Sequence, residues 1–142
     1  MKMSRMLISC LLLVVILSGC STIKPNPGQW TGQSQGLYLS GQENFIGLIV
    51  SFEVSPESST INSLNLEIAG QVSESYVIPE GITITRNGTF SYSDDGEMNE
   101  YELDGEFSDS TSATLNVVVQ KLNGQRISLN GGEVELLWLE SE

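Results

Sequence analysis

The chain of 142 residues contains eighteen Asp and Glu, six Lys and Arg and no histidine, which gives a formal net charge of −12 at pH 7. This acidic balance argues against nucleic-acid binding, which depends on basic surfaces. The lack of histidine excludes Ser-His-Asp and Cys-His catalysis in their usual forms, and metal sites built on histidine. The length suits one domain with a modest core, and we expect no enzymatic activity.

The first nineteen residues have the anatomy of a secretory signal. Lys2 and Arg5 form a charged start, and an apolar run follows from Leu7 to Leu17. This run is too short to cross a bilayer, since a transmembrane helix needs about 20 apolar residues. We therefore predict a helical signal peptide over residues 1–19 that is removed from the mature protein.

The apolar run ends in Leu17-Ser18-Gly19-Cys20, an aliphatic residue, two small residues and a cysteine. This sequence resembles the lipobox of bacterial lipoproteins. The resemblance implies that the thiol of Cys20 receives a diacylglycerol and that cleavage makes Cys20 the first residue. Two or three acyl chains on one residue give stable attachment to a membrane. Ser21 resembles the residue that directs such proteins to the outer membrane in a Gram-negative host, so we predict a lipid-anchored protein of the cell envelope.

Residues 20–28 predict a short extended tether that carries the lipid, because Pro25 and Pro27 disfavour regular structure there. Residues 29–142 remain for the folded domain. Removal of the signal takes Cys10 away and leaves four basic against eighteen acidic residues, a net charge of −14. No disulfide is expected in the mature protein. The negative charge favours solubility and argues against a face pressed onto anionic lipid.

From Trp30 onward, apolar and polar residues alternate with a period of two, which predicts strands with one buried and one wet face. No amphipathic helix of useful length follows the signal. Turn sequences such as Asn87-Gly88 and Asn123-Gly124 recur at short spacing. We therefore predict an all-β fold, an antiparallel β-sandwich of about eight to ten strands, with a small closed β-barrel as the alternative. Trp30 and Trp138 are expected in or near the core at the ends of the domain.

The apolar pattern also predicts the register of the hairpin around Asn87-Gly88. A three-residue loop, Arg86-Asn87-Gly88 with a left-handed Gly88, pairs Thr85 with Thr89. It would also set Ile84 against Phe90 and Ile82 against Tyr92, so that all four apolar side chains share one face.

The same argument applies to the last part of the chain. A three-residue loop, Leu122-Asn123-Gly124, would set Val119 against Ile127 and Val117 against Leu129. A second, two-residue loop at Gly131-Gly132 would then make a meander of three strands between residues 113 and 139.

The segments "GQWTG", "NGTF" and "GEFSDSTSA", set among these strands, resemble a group of secreted bacterial β-sandwich domains. The resemblance spans most of the mature chain. It implies the fold and assigns no catalytic residues.

The densest acidic segment runs from Asp94 to Asp109. Its first part offers hard oxygen ligands for Ca²⁺, the one cofactor that we consider, from the residues Asp94, Asp95, Glu97 and Asn99. The spacing is not that of an EF-hand. The following acids alternate with apolar residues, and the alternative is that they form the wet face of a strand and discourage edge-to-edge aggregation.

Exposed aromatic residues could bind a glycan, and Tyr38 and Tyr76 are the candidates. The alternative for both is packing at the margin of a sheet. The sequence thus predicts a lipid-anchored envelope protein with a structural or binding role. The alternative is a carbohydrate- or calcium-binding module, and the partner is a protein or a glycan in addition to the membrane that holds Cys20.

Overall fold

The computed structural model describes residues 22–38, 45–69, 74–78 and 81–140. The predicted signal helix and Cys20 lie outside these residues. The described part contains no helix, and its nine strands are β1 (Gly28–Tyr38), β2 (Phe45–Val54), β3 (Thr60–Ala69), β4 (Glu74–Ile78), β5 (Ile82–Thr83), β6 (Thr89–Asp95), β7 (Glu100–Phe107), β8 (Ser112–Leu122) and β9 (Gln125–Trp138). The prediction of an antiparallel all-β domain is confirmed.

The strands pair along a single path, in the order β4-β3-β2-β1-β9-β8-β7-β6, and β5 pairs with β3. All pairs are antiparallel. The sheet curls back on itself. Phe52 of β2 and Phe90 of β6 show this, since their strands are far apart in the order but their ring centroids are only 6.0 Å apart. We call the gap between the end strands β4 and β6 the seam.

The concave face of this curled sheet holds the core. Alternate apolar residues of β2, β7 and β8 are buried, because alternate residues of a strand share one face; they include Leu48, Val50, Leu103, Leu115 and Val117. Four aromatic rings cluster at one end of the core: Trp30, Phe52, Phe90 and Phe107. Trp30 is fully buried and Trp138 packs partly buried against the core, as predicted.

The loop at Asn87-Gly88 has the predicted form, but the strand that precedes it does not pair as predicted. The amide of Gly88 donates to Thr85 O over 3.0 Å, the amide of Thr85 donates to Thr89 O over 2.9 Å, and Gly88 has φ 82°. Before Thr85, however, the chain leaves β6, and Ile82 pairs with Ile61 of β3. The prediction that Ile82 pairs with Tyr92 is therefore wrong, because burial on one face does not specify which strand lies alongside.

The predicted loop at Leu122-Asn123-Gly124 is also wrong. Leu122 pairs with Gln125, so the loop has two residues. Asn123 (φ 50°) and Gly124 (φ 79°) are both left-handed, as a type I′ turn requires. Val119 pairs with Leu129 and not with the predicted Ile127, because the register shifts between Val119 and Lys121. This bulge restores the parity that the shorter loop changes.

The predicted turn at Gly131-Gly132 does not exist. β9 runs unbroken through both glycines, with Asn130 opposite Val118 and Glu133 opposite Asn116. Two residues of β9 thus face one residue of β8, which is a β-bulge, and glycine accommodates the irregular backbone there. Instead of a three-strand meander, one long strand joins β8 on one side to β1 on the other.

Candidate functional site

The predicted calcium ligands lie at the end of β6 and in the turn that follows it, and two of them use side-chain atoms within the fold. Asp94 Oδ1 accepts a bond from the amide of Gly96 over 2.9 Å. Asn99 Oδ1 accepts one from the amide of Asn123 over 3.0 Å, which ties this turn to the β8–β9 turn. Asn99 Nδ2 donates to Tyr76 Oη over 3.1 Å. These contacts explain Asp94 and Asn99 as residues that build the turns.

The other two candidates are Asp95 and Glu97, both exposed. The main-chain oxygen of Glu97, rather than its carboxylate, accepts a bond from Lys121 Nζ over 3.1 Å. Among the described residues, no group of three or more Asp, Glu, His or Cys side chains is arranged to hold a metal ion. Calcium binding at this turn stays a prediction that the geometry does not itself support.

Tyr76 lies on β4 and reaches across the seam to β7. Its ring packs edge-on against Tyr101 with centroids 5.5 Å apart, and the two hydroxyl oxygens lie 3.4 Å apart. Tyr92 of β6 also stacks on Tyr101, with ring centroids 6.0 Å apart. The side chain of Tyr76 is therefore half-buried at the margin of the sheet. This position matches the predicted alternative of packing at a sheet margin and not an exposed platform for a glycan. Tyr38 ends β1 opposite Phe45, and its side chain lies outside the described part.

Tyr101 is the buried member of this tyrosine cluster. Burial raises the pKa of its phenol far above the usual value, and the hydrogen bond with Tyr76 adds to the rise. The nearby Tyr92 and Asp94 act in the same direction. Tyr101 therefore stays neutral under physiological conditions, and its role is to link the two sides of the seam.

A polar groove crosses the outer face of β6, β7, β8 and β9 beside the segment 81–85. It has a volume of about 680 Å³ and opens widely to solvent. Three carboxylates line it, Asp104, Glu106 and Glu133, together with small polar side chains such as Ser91 and Asn116. The alternation in the sequence identifies Asp104 and Glu106 as outward-facing. Glu133 joins them only because β9 pairs with β8.

The acidic and neutral side chains of the groove alternate from strand to strand. One row runs Ser91, Asp104, Asn116, Glu133, and the next runs Thr89, Glu106, Thr114, Glu135. No carboxylate in these rows is directly opposite another, an arrangement that avoids the destabilisation caused by like charges in facing positions. The groove can thus accept hydrogen bonds from a polyhydroxylated or cationic ligand, while its hydroxyl and amide groups supply donors.

The N-terminal segment 22–27 packs against one end of the domain rather than hanging free. Ile23 packs partly buried against the core, and Pro25 is buried. The amide of Asn26 donates to Ser110 O over 2.9 Å. Both tryptophans bind this segment: Trp30 Nε1 donates to Asn26 O, and Trp138 Nε1 donates to the main-chain oxygen of Pro27, each over 3.0 Å. The part of the predicted tether that follows Thr22 is therefore held by the domain.

Within the part of the chain that the structure describes, no helix is long and apolar enough to cross a membrane. Comparisons with protein families, with curated proteins and with solved structures found no match for this chain.

Proposed function

We propose that this chain is a lipid-anchored protein of the cell envelope, attached through acyl chains on Cys20. The observation that carries the proposal is the boundary between two kinds of sequence. The apolar run ends at Cys20, and packing against the core begins at Ile23. Cys20 thus stands between a segment with the anatomy of a signal and a folded domain, where lipid transfer and cleavage leave the fold intact.

The test uses the two cysteines of the chain as a matched pair. Cys20→Ser should abolish acylation and cleavage, whereas Cys10→Ser, within the apolar run, should leave both unchanged. The measurement is mass spectrometry of the N-terminal peptide, with detergent phase partition of the whole protein. A Cys20→Ser protein that still carries the acyl mass, or that partitions as wild type does, would contradict the proposal. In a Gram-negative host, wild type should fractionate with the outer membrane.

We further propose that the domain has a binding role and that the groove on β6–β9 binds a glycan. The observation in favour is a groove of about 680 Å³ lined by carboxylate, hydroxyl and amide groups. Its volume lies in the range of small-molecule sites. Vicinal hydroxyls of a sugar donate to carboxylates such as Asp104 and Glu133 and accept from Asn116.

A glycan array probed with the mature domain tests this role. Asp104→Asn and Glu133→Gln should each weaken binding, because a neutral amide replaces a charged acceptor. Glu67→Gln on β3, outside the groove, is the matched control and should bind as wild type does. Equal binding by all three variants would remove the groove as the site. If Tyr76→Phe lost binding while the groove variants kept it, the glycan site would lie at the predicted aromatic candidates.

We also infer that the sheet is a half-barrel with an open seam, in preference to a two-sheet sandwich. The continuous strand order supports this inference. Thr89 directs its main-chain groups toward Thr85, away from β7, so by alternation the amides of Ser91 and Ser93 point into the seam. Rapid hydrogen exchange at these two amides is expected, and slow exchange there would favour a closed barrel.

A further inference from the structure

One end of the curled sheet carries three turns and both ends of the described chain. We call it the anchor end, and it consists of the turns 55–59, 84–88 and 108–111 with the segments 22–27 and 139–140. The segment 22–27 crosses this end. Ile23 lies at Gly88, since an ideal Cβ on Gly88 would be 3.1 Å from the Ile23 side chain, and Asn26 lies at Ser110.

The covalent chain limits how far this end can lie from a membrane. Two residues, Ser21 and Thr22, separate Cys20 from Ile23, and the three Cα–Cα steps between them span at most about 11 Å in a fully extended chain. The interfacial layer of one bilayer leaflet is itself about 5–8 Å deep. Acyl chains on Cys20 would therefore keep the anchor end within contact distance of lipid headgroups.

The exposed side chains of the anchor end suit a headgroup surface. Leu139 belongs to the anchor end, and Leu137 lies two residues before it, near the end of β9. They are 50% and 60% exposed, two of the four large hydrophobic side chains exposed among the described residues. Lys24 and Arg86 are also exposed there. They are half of the basic residues that remain after removal of residues 1–19. Exposed leucines and cations are the groups that bind the interface of an anionic bilayer.

The acidic groups of the fold lie mainly elsewhere. The anchor end presents three acids, Glu57, Asp109 and Glu140, against its two cations, which gives a charge of −1 over its described residues. The outer face of β7 and β9 carries a denser set, formed by Glu102, Asp104, Glu106, Glu133 and Glu135. Repulsion between that face and anionic headgroups opposes a domain that lies on its side.

We propose that the anchor end is a membrane-contact surface that seats on the headgroups of an anionic bilayer. The domain then stands upright, with the turns 96–99 and 123–124 farthest from the lipid and the groove open to the side. This inference rests on the proposed acylation of Cys20. It goes beyond that proposal because it assigns contact to the folded surface as well as to the lipid.

The experiment uses the acylated protein in vesicles of phosphatidylethanolamine and phosphatidylglycerol. Cys20 is blocked by its lipid, so a single new cysteine can carry a fluorophore, at the anchor end in Asn87→Cys or at the far end in Glu97→Cys. Headgroup-attached nitroxide should quench the label at residue 87 and leave the label at residue 97 unquenched. Equal quenching of the two labels in protein with confirmed acyl mass would overturn the inference alone. An N-terminal peptide without acyl groups would overturn the proposed function and this inference together.

A second variant distinguishes binding of the anchor-end surface to lipid from simple restraint by the short segment that joins Cys20 to the domain. Insertion of about ten Gly and Ser residues after Ser21 adds a flexible reach of about 17 Å. Quenching at residue 87 should persist after the insertion, and it should be lost when Lys24→Glu, Arg86→Glu, Leu137→Ser and Leu139→Ser are added to it. Loss with the insertion alone would show that only the chain length holds the domain down, and the inference would then be wrong.

Discussion

Adding one methyl group at Gly32 should disrupt the junction between β1 and β9. An ideal Cβ there would overlap the main-chain oxygen of Glu135 and lie 2.9 Å from its carbonyl carbon. Carbon atoms in ordinary contact are about 3.5–4.0 Å apart, so the strands must separate by at least about 0.6 Å. Three residue pairs join β1 to β9 among the residues that the structure describes, between Trp30–Gly32 and Leu136–Trp138. The junction therefore has few other hydrogen bonds with which to resist the change.

The cost of Gly32→Ala follows from these contacts. Overpacking costs about 1–3 kcal/mol, and each weakened hydrogen bond adds about 1 kcal/mol. A total of about 2–4 kcal/mol is a large fraction of the stability of a domain, which is about 5–15 kcal/mol. The unfolding entropy of a domain of this size is about 0.25 kcal/mol/K, so the melting temperature should fall by about 8–16 °C.

Thermal unfolding followed by near-ultraviolet circular dichroism measures this change, and Gly81→Ala is the matched control. Gly81 is exposed, and the nearest atom to its ideal Cβ is Asn62 Oδ1 at 3.4 Å, an ordinary contact. Gly81→Ala should change the stability by no more than about 0.5 kcal/mol, or about 2 °C. If Gly32→Ala also melted within about 2 °C of wild type, the close approach of β1 and β9 would be refuted.

The carboxylate of Asp109 accepts hydrogen bonds from the amide and hydroxyl of Thr111 and from the amide of Ser112. These bonds hold the pKa of Asp109 below its usual value. Asp109→Asn should therefore lower the melting temperature at neutral pH. This stabilisation exists above the ordinary Asp pKa and is lost as the pH falls through the lowered one, so an equal loss in neutral and acidic solution would contradict it. Tyr101→Phe should lower the free energy of unfolding in urea by about 1 kcal/mol, because it removes only the hydroxyl and its hydrogen bond. Tyr101→Ala should lower it by about 3–5 kcal/mol, because it also removes the buried ring. Equal losses would contradict the packing of that ring. Folding raises the pKa of Tyr101 above 10.0, the value expected in the unfolded chain. The fold therefore loses stability as the pH rises above 10.0, because the unfolded chain then releases this proton more readily. Tyr101→Phe should reduce this loss of stability in alkali. Ile23→Ala should cost about 1–2 kcal/mol in urea unfolding because the side chain is half-buried, and an unchanged midpoint would show that segment 22–27 is not docked.

The alternation of residues predicted the inner faces correctly and the strand neighbours only in part. Ile84 and Phe90 are buried as expected, since each strand position points to one face or the other. Ile82 satisfies the same rule whether it lies beside Tyr92 or beside Ile61. Only the complete packing selects Ile61, because that choice lets β5 pair with β3 near the seam.

The two errors in β9 have a common cause. Register arguments along a regular ladder assume one residue opposite one residue. β9 has an extra residue at Gly131-Gly132 and another between Arg126 and Leu129, so 13 of its residues, 125–137, lie opposite the 11 of β8. Bulges depend on how a strand must bend to join neighbours on both sides, and β9 has β8 on one side and β1 on the other.

Composition gave a similarly partial result for charge. The charge of −14 predicted for the processed chain argued against contact with anionic lipid, yet the structure distributes the charges unevenly. Lys24 and Arg86 lie at the anchor end, and Asp104 and Glu133 line the groove on the outer face. A total charge carries no information on this separation, because residues distant in sequence meet on one surface only after folding.

The sequence by itself determined the strand class, the inward residues and the form of the Arg86-Asn87-Gly88 loop, because these follow from local geometry and side-chain polarity. It also predicts the lipid attachment at Cys20, which stays a prediction. Tertiary structure decided the course of β9, the acidic groove and the docking of Ile23 and Pro25 on the end of the domain. These features depend on contacts between distant segments, whose entropic cost is met only by the assembled core.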